Sequence, residues 1–173
     1  MSRKVAMAAG LLVVAGACGL IVVPSLLRAR VSGGESPVIG DTRTVISAQA
    51  AYASSNNGFY AGRLECLSGP SACLPGYAPD APTFLDAYLA SAQTKSGYVR
   101  RFVPGPAVSP VDIAKRKLGR DSVVCWAYVS TPVSADTGIR TYCGDCNGIV
   151  CSRMDGRAPA VRDGECVECD ILR

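Results

Sequence analysis

The pattern of apolar and polar positions changes character twice along the chain. From Val5 to Leu27 there are twenty-three residues without a charge, a run that passes through Pro24 into the charged stretch "PSLLRAR". A helix needs about 20 residues to cross a bilayer, whereas a secretory apolar region is usually about 7–15 and ends at a small-residue cleavage site. The run predicts a transmembrane helix over 5–27, with residues 1–4 on the cytoplasmic side. Beyond Pro24 the pattern becomes amphipathic: Leu27, Val31, Val38, Val45, Ala48 and Tyr52 recur at steps of three, four or seven, flanked by Ile39 and Ile46. This stripe predicts a helical stem over 28–55 whose one face (Val38, Ile39, Val45, Ile46, Ala48) lies on a sheet. Pro24 lacks an N–H and predicts a kink near the membrane surface. Gly33, Gly34 and Pro37 predict a kink or break at 33–37, since two glycines and a proline oppose helix by roughly 1 kcal/mol each and 3 kcal/mol. Asn57 and Gly58 in "SSNNG" suit a left-handed cap at the end of the stem.

After the stem the apolar runs shorten. Residues 61–81 are rich in Gly, Pro and Ser and read as loop. "APTFLDAYLASAQ" (81–93) predicts a short amphipathic helix with Thr83 as N-cap and Phe84, Leu85, Tyr88 and Leu89 turned inward. "GYVRRFV" (97–103) predicts a strand broken by Pro104, Pro106 and Pro110, followed by a basic loop to Asp121. "SVVCWAYVS" (122–130) and "GIRTYC" (138–143) predict a hairpin joined through "TPVSADT", and a last short strand near 148–153 precedes an irregular tail. Trp126 and Tyr128, two apart in a strand, share a face and suit core packing. The expected fold is therefore α+β: a long N-terminal membrane-spanning helix, its stem packed on an antiparallel sheet of 3–4 strands, and a cysteine-rich head over 56–173.

Composition narrows the chemistry. The net charge is +4, with positive residues scattered (Arg100, Arg101, Lys115, Arg116, Lys117, Arg120, Arg153, Arg157) and one cluster at 115–120 that lacks interleaved aromatics. That argues against a nucleic-acid partner. Histidine is absent, which removes Ser-His-Asp and Cys-His catalysis and His-ligated metals. No other catalytic constellation stands out, so neither an enzyme nor a cofactor is expected.

Of nine cysteines, Cys18 lies in the apolar run and eight lie in the head: Cys66, Cys73, Cys125, Cys143, Cys146, Cys151, Cys166 and Cys169. An even set behind an anchor reads as up to four disulfides in an oxidising compartment. Cys66 and Cys73 close a small loop. Cys125 and Cys143 lie equidistant from the centre of their hairpin, and Cys146 with Cys151 and Cys166 with Cys169 complete one set, exchange among those four remaining open. Cys143-x2-Cys146 and Cys166-x2-Cys169 also match zinc-ribbon spacing, which competes with the disulfide reading. A thioredoxin-like pair fits poorly, since "YCGDCNG" is a turn rather than a helix start. Asp145, Asp155, Asp163, Glu165, Glu168 and Asp170 read as solvated loop charges rather than a calcium loop, because no EF-hand spacing occurs. "AGAC" (15–18) offers Cys18 for lipidation, but Ala15 stands where a larger aliphatic is usual and the sequence stays apolar beyond it. Arg3 and Lys4 before the run balance Arg28 and Arg30 after it, so the cysteine-rich head sets the orientation, with the head outside.

Residues 11–67, from "LLVVAGACGLIVVPSLLRAR" through "TRTVISAQAAYAS", resemble the N-terminal helix of type IV pilin-like proteins and type II secretion pseudopilins, with Gly16 and Pro24 at matching places. "SGYVRRFVPGP" and "STPVSADTGIRTYCGDCNGIVC" resemble the strand, hairpin and Asp-x-x-Gly-x-Ile ending of one bacterial subgroup, here Asp145, Gly148, Ile149 and Val150. Nothing before Val5 fits the family's basic leader, and Met7 stands where its glutamate would be, so neither leader cleavage nor that residue's salt bridge carries over. The resemblance implies a minor or tip-type subunit of a pilus-like or pseudopilus-like filament, held in the bacterial inner membrane before assembly. Leu11, Leu12, Gly16, Leu20, Val23 and Pro24 would then form the assembly helix, and the partners would be the membrane and other pilin-like subunits. The alternative is a membrane-anchored or lipidated head that binds an envelope partner and never polymerises.

Overall fold

The computed structural model describes residues 33–172. Helix α1 covers 33–55. Every third or fourth residue along it faces inward: Val38, Thr42, Val45, Gln49 and Tyr52 are buried, and Asn56 continues the line past the helix end. The apolar stripe is therefore where periodicity places it, but three polar residues share it at seven-residue spacing. Each polar side chain has a partner that explains its burial. Thr42 Oγ1 donates to Val38 O at 2.8 Å, and the Gln49 amide both donates to and accepts from the backbone of Ala61 at 2.9 Å. Asn56 Nδ2 donates to Phe59 O and Ser122 Oγ, while its Oδ1 accepts from Gly119 N–H. The helix closes as expected, with Asn57 and Gly58 left-handed and Gly58 N–H donating to Ala53 O at 2.8 Å.

Two expectations about the stem are corrected. No break occurs at 33–37, because those residues are helical. Gly34 has a packing role: a Cβ there would meet Thr137 O at 2.5 Å, so the glycine lets the loop that carries Thr137 approach α1. The membrane-spanning helix is corrected too. No helix among the described residues is long and apolar enough to cross a membrane. Helix α1 carries Glu35, Asp41 and Arg43 in its first three turns and presents one polar face outward. The single-pass inner-membrane placement with a cytoplasmic N-terminus goes with that correction. The stretch 5–27, Leu27, Val31, the assembly positions Leu11, Leu12, Gly16, Leu20, Val23 and Pro24, and Cys18 all lie outside the described residues.

The sheet is larger than the three or four strands expected. Strands β2 (Thr94–Lys95), β3 (Tyr98–Pro104), β5 (Trp126–Pro132), β6 (Thr141–Asp145), β7 (Val150–Arg153) and β10 (Asp170–Ile171) form one antiparallel sheet. Its order is β10-β7-β6-β5-β3-β2. The two strands that the sequence pattern did not reveal are its edges, each two residues long, too short to show a period of two. Strands β1 (Tyr60–Ala61) and β4 (Ser122–Val123) pair with each other, as do β8 (Ala160–Arg162) and β9 (Glu165–Val167). The tail is thus ordered into a hairpin and an edge strand.

Side-chain alternation puts Tyr98, Arg100 and Phe102 of β3, Trp126 and Tyr128 of β5, and Tyr142 of β6 on the α1 side. Trp126 and Tyr128 do share the core with Val45, Ala48 and Tyr52. The opposite face is also covered: Ala127, Val129, Cys143 and Cys151 pack with Val161, Cys166 and Cys169. A strand covered on both faces loses the apolar–polar alternation, which is why "VVCWAYV" reads as a continuous apolar run.

Three shorter elements also differ from expectation. Helix α2 (Glu65–Ser68) lies in the segment read as loop. Helix α3 is confined to Ala87–Ser91, with Asp86 rather than Thr83 as N-cap: the Asp86 carboxylate accepts from Tyr88 and Leu89 N–H. Leu85 and Leu89 are buried, but Tyr88 is 63% exposed. The basic loop holds helix α4 (Pro110–Arg116), with Ser109 accepting from Asp112 N–H, Pro110 leading, and Lys117 left-handed at its end. Lys115 and Arg116 sit in its last turn, where cations favour the helix dipole.

Candidate functional site

All eight predicted cysteines are joined in four disulfides: Cys66–Cys73, Cys125–Cys146, Cys143–Cys166 and Cys151–Cys169. The first is the small loop expected. The hairpin pairing Cys125–Cys143 is corrected by register: Val129 faces Cys143 and Ala127 faces Asp145, so Cys125 falls beside Cys146. The Cys146 N–H donates to Trp126 O at 3.2 Å and seats that bridge. Cys143 faces Cys151 directly across β6 and β7. Asp145 N–H donates to Ile149 O, which makes 145/149, and two residues on 143/151, hydrogen-bonded pairs. Side chains stand farther apart at such pairs than at the alternate ones. Both sulfurs instead reach up to the tail, and Cys166 and Cys169, expected to pair together, are taken by the sheet.

These bonds decide the competing cysteine chemistry. Among the described residues, two groups have donor atoms close enough for a metal: Cys66, Cys73 and Asp121, and Cys125, Cys146 and Glu165. In each, the sulfurs are bonded to one another and offer no thiolate. The acidic residues of the tail do not act as one group. Asp145 is buried and brackets the tail, accepting from Asn147 N–H and Cys166 N–H at 3.0 Å each. Asp155 pairs with Arg153, whose guanidinium holds its carboxyl below the usual range, and Asp163 and Glu168 occupy left-handed turn positions.

The polar cluster with the most chemical potential lies where α1 meets β3. Arg100 reads from sequence as a scattered surface charge, but its side chain is 1% exposed. Its position, two residues from Tyr98 in a strand, puts it on the inward face, a signal that strand parity already carried. The Arg100 guanidinium pairs with Asp41 of α1, and Lys95 Nζ joins the same carboxylate at 2.9 and 3.1 Å. The trio carries a net positive charge in a largely buried setting. Arg100 Nε and Nη1 and the Tyr128 hydroxyl have no well-aligned hydrogen-bond partner among the described residues. The guanidinium still lies near enough to that hydroxyl to offset part of the upward pKa shift that burial imposes on Tyr128. A cleft of about 440 Å³ ends on Arg100, Phe102 and Tyr128 and opens between α2, α3 and the β3 edge.

A second polar cluster clamps the first turn of α1. The Glu35 carboxylate accepts from Ile139 and Arg140 N–H at 3.2 Å each, and Tyr98 donates to Arg140 O at 3.0 Å. Burial first, then the Glu35 charge, pushes the Tyr98 and Tyr142 phenols up, Tyr142 to about 12.

No family model, curated protein or solved structure matches this chain. The functional reading therefore rests on its own geometry.

Proposed function

We propose that the chain is a structural subunit of a pilin-like or pseudopilin-like filament, of minor or tip type. The observation that carries this reading is the outer face of α1, opposite the sheet. Gly40, Thr44, Ser47, Ala51 and Ser54 recur there at steps of four and three, all exposed and all small. The hydroxyls of Thr44 and Ser54 donate back to Gly40 O and Ala50 O, so these two need no outside partner. Small side chains let a second helix approach closely along its whole length, which suits repeated helix-to-helix packing. The head supports the same role: four disulfides brace a small α+β core, each adding about 2–4 kcal/mol. The cleft beside Arg100 favours a second reading, a head that binds a ligand and does not polymerise.

Photo-crosslinking from Ser47 and Ala51 in producing cells tests the first reading, with exposed Val111 of α4 as control. A ladder of multimers from both helix positions and none from Val111, abolished by Ala51→Trp in a chain that stays folded, is the expected result. Monomer alone from every position would overturn it.

A further inference from the structure

We propose that the hollow between α4 and the segment 71–75 receives the acidic turn 168–170 of a second copy of this chain. The proposal rests on the filament reading above and adds a head-to-tail contact to it. The hollow measures about 400 Å³ and is walled by Arg63 and Arg120 and by the apolar Leu74, Ile113 and Leu118. Arg63 is tied to Asp121. Arg120 and the nearby Lys117 are exposed and make no ion pair among the described residues. These cations stand in solvent, so an arriving carboxylate meets them directly, and a guanidinium can hold it through two parallel hydrogen bonds.

The same chain carries the complement. Glu168 and Asp170 flank Cys169 between β9 and β10, and the Cys151–Cys169 bridge holds that turn on the sheet. Glu168 is left-handed and exposed, in loose contact with Arg153 at 3.7 Å, and Asp170 is exposed. Residues 33–173 hold fourteen acids and fourteen Lys and Arg, but the two signs are separated. Residues 145–170 contribute six acids against three arginines, and residues 109–121 four cations against two acids. The positive surplus lies just past the end of α1, where Arg116 O accepts from Asn57. Arg153, beside Glu168, instead faces Thr141, next to the Arg140 N–H that Glu35 accepts in the first turn. The hollow and the turn therefore sit at opposite ends of a helix about 34 Å long. A chain's own turn cannot reach its own hollow, so the contact is heterologous and propagates from copy to copy. Exposed ion pairs add little affinity by themselves, so this one sets the register of copies that α1 already holds together.

Photo-crosslinking from exposed Ala72 at the hollow, in the full chain in producing cells, tests this, with peptide mapping of the products. Val111 remains a valid control, because it stands two residues from Ile113 in α4 and so on the other side of that helix. The expected result is a dimer whose Ala72 is joined to the 167–172 segment of the other copy. Lys117→Glu with Arg120→Glu should abolish that product, and so should Glu168→Lys with Asp170→Lys, each in a chain that keeps its four disulfides. Producing the two charge-reversed chains together, with the crosslinker in the first, should restore it, since each reversed patch then meets its opposite. A helix ladder from Ser47 and Ala51 without the Ala72 product would overturn this contact and leave the filament reading standing, while loss of both would overturn the two together. Crosslinks from Ala72 to another protein or to a different segment, or no recovery in the mixed chains, would also overturn the contact.

Discussion

Gln49 of α1 and Ala61 of β1 exchange two hydrogen bonds of 2.9 Å, the side-chain amide of one standing in for a strand partner of the other. Both residues are fully buried. The link ties the stem to the first strand of the head and satisfies a backbone N–H and C=O that a helix beside a two-residue strand would otherwise strand in the core. Gln49→Leu keeps the volume and removes both partners. Equilibrium unfolding in urea should show a loss of roughly 2–4 kcal/mol, the cost of two unpaired buried groups. A loss below about 0.5 kcal/mol would show that the pair contributes little.

Gly144 of β6 permits the close approach of α1: a Cβ there would meet Thr42 Cγ2 at 2.5 Å and Ile46 Cδ1 at 3.1 Å. Overpacking of this kind costs about 1–3 kcal/mol. Gly144→Ala should lower the thermal midpoint, and adding Thr42→Ser should restore part of it. The serine removes the crowding methyl and retains the hydroxyl that donates to Val38 O. If Thr42→Ser gives no recovery, α1 does not rest on β6 at this point.

The tail bridges should matter more than the short loop. Cys143–Cys166 spans 23 residues and Cys66–Cys73 spans 7. Chain-entropy arguments give about 3 kcal/mol for a loop of 15 residues, rising with length. Replacing Cys143 and Cys166 together by alanine should therefore cost about 3 kcal/mol and open the tail to trypsin at Arg157 and Arg162. Peptide mapping of the native chain should recover the four pairs described here. A Cys143–Cys151 peptide would contradict the register argument.

Buried phenols make the fold sensitive to alkali. Burial, reinforced by Asp121 and opposed by Arg63, pushes Tyr52 up to about 12, and Tyr142 rises to about 12 as well. Between about pH 10 and 12 the folded chain therefore holds protons that the unfolded chain has released, so stability falls as pH rises through that window. Below about pH 10 these two groups should leave stability unchanged. Circular dichroism and tyrosinate absorbance, recorded on thiol-blocked protein, should show unfolding and ionisation together, and Tyr52→Phe should move the alkaline midpoint upward. Ionisation well below the unfolding transition would show that these phenols are not sealed in the core.

Much of the architecture was legible before any coordinates. The spacing of Val38, Val45, Ala48 and Tyr52 reports the inward face of α1 because a helix returns to the same side every 3.6 residues. Trp126 and Tyr128 report a shared strand face for the same kind of reason, and the even cysteine count in the head anticipates four bridges. The capping signals around Ser109, Pro110 and Asp112 were present for α4 as well, but a run of basic residues and prolines concealed them.

Other features belong to the tertiary structure alone. Gln49 and Asn56 follow the inward spacing, yet a polar residue of this kind is stable there only when a particular partner meets it, and Ala61, Gly119 and Ser122 lie elsewhere in the chain. Strand parity turns Arg100 inward, but a guanidinium stays buried there only because Asp41 of α1 faces it. The edge strands at 94–95 and 170–171 exist through pairing with β3 and β7. The bridges Cys125–Cys146, Cys143–Cys166 and Cys151–Cys169 depend on a hairpin register that shifts with loop length. Periodicity records which side of an element faces inward, while partners distant in sequence are brought together only when the whole chain packs.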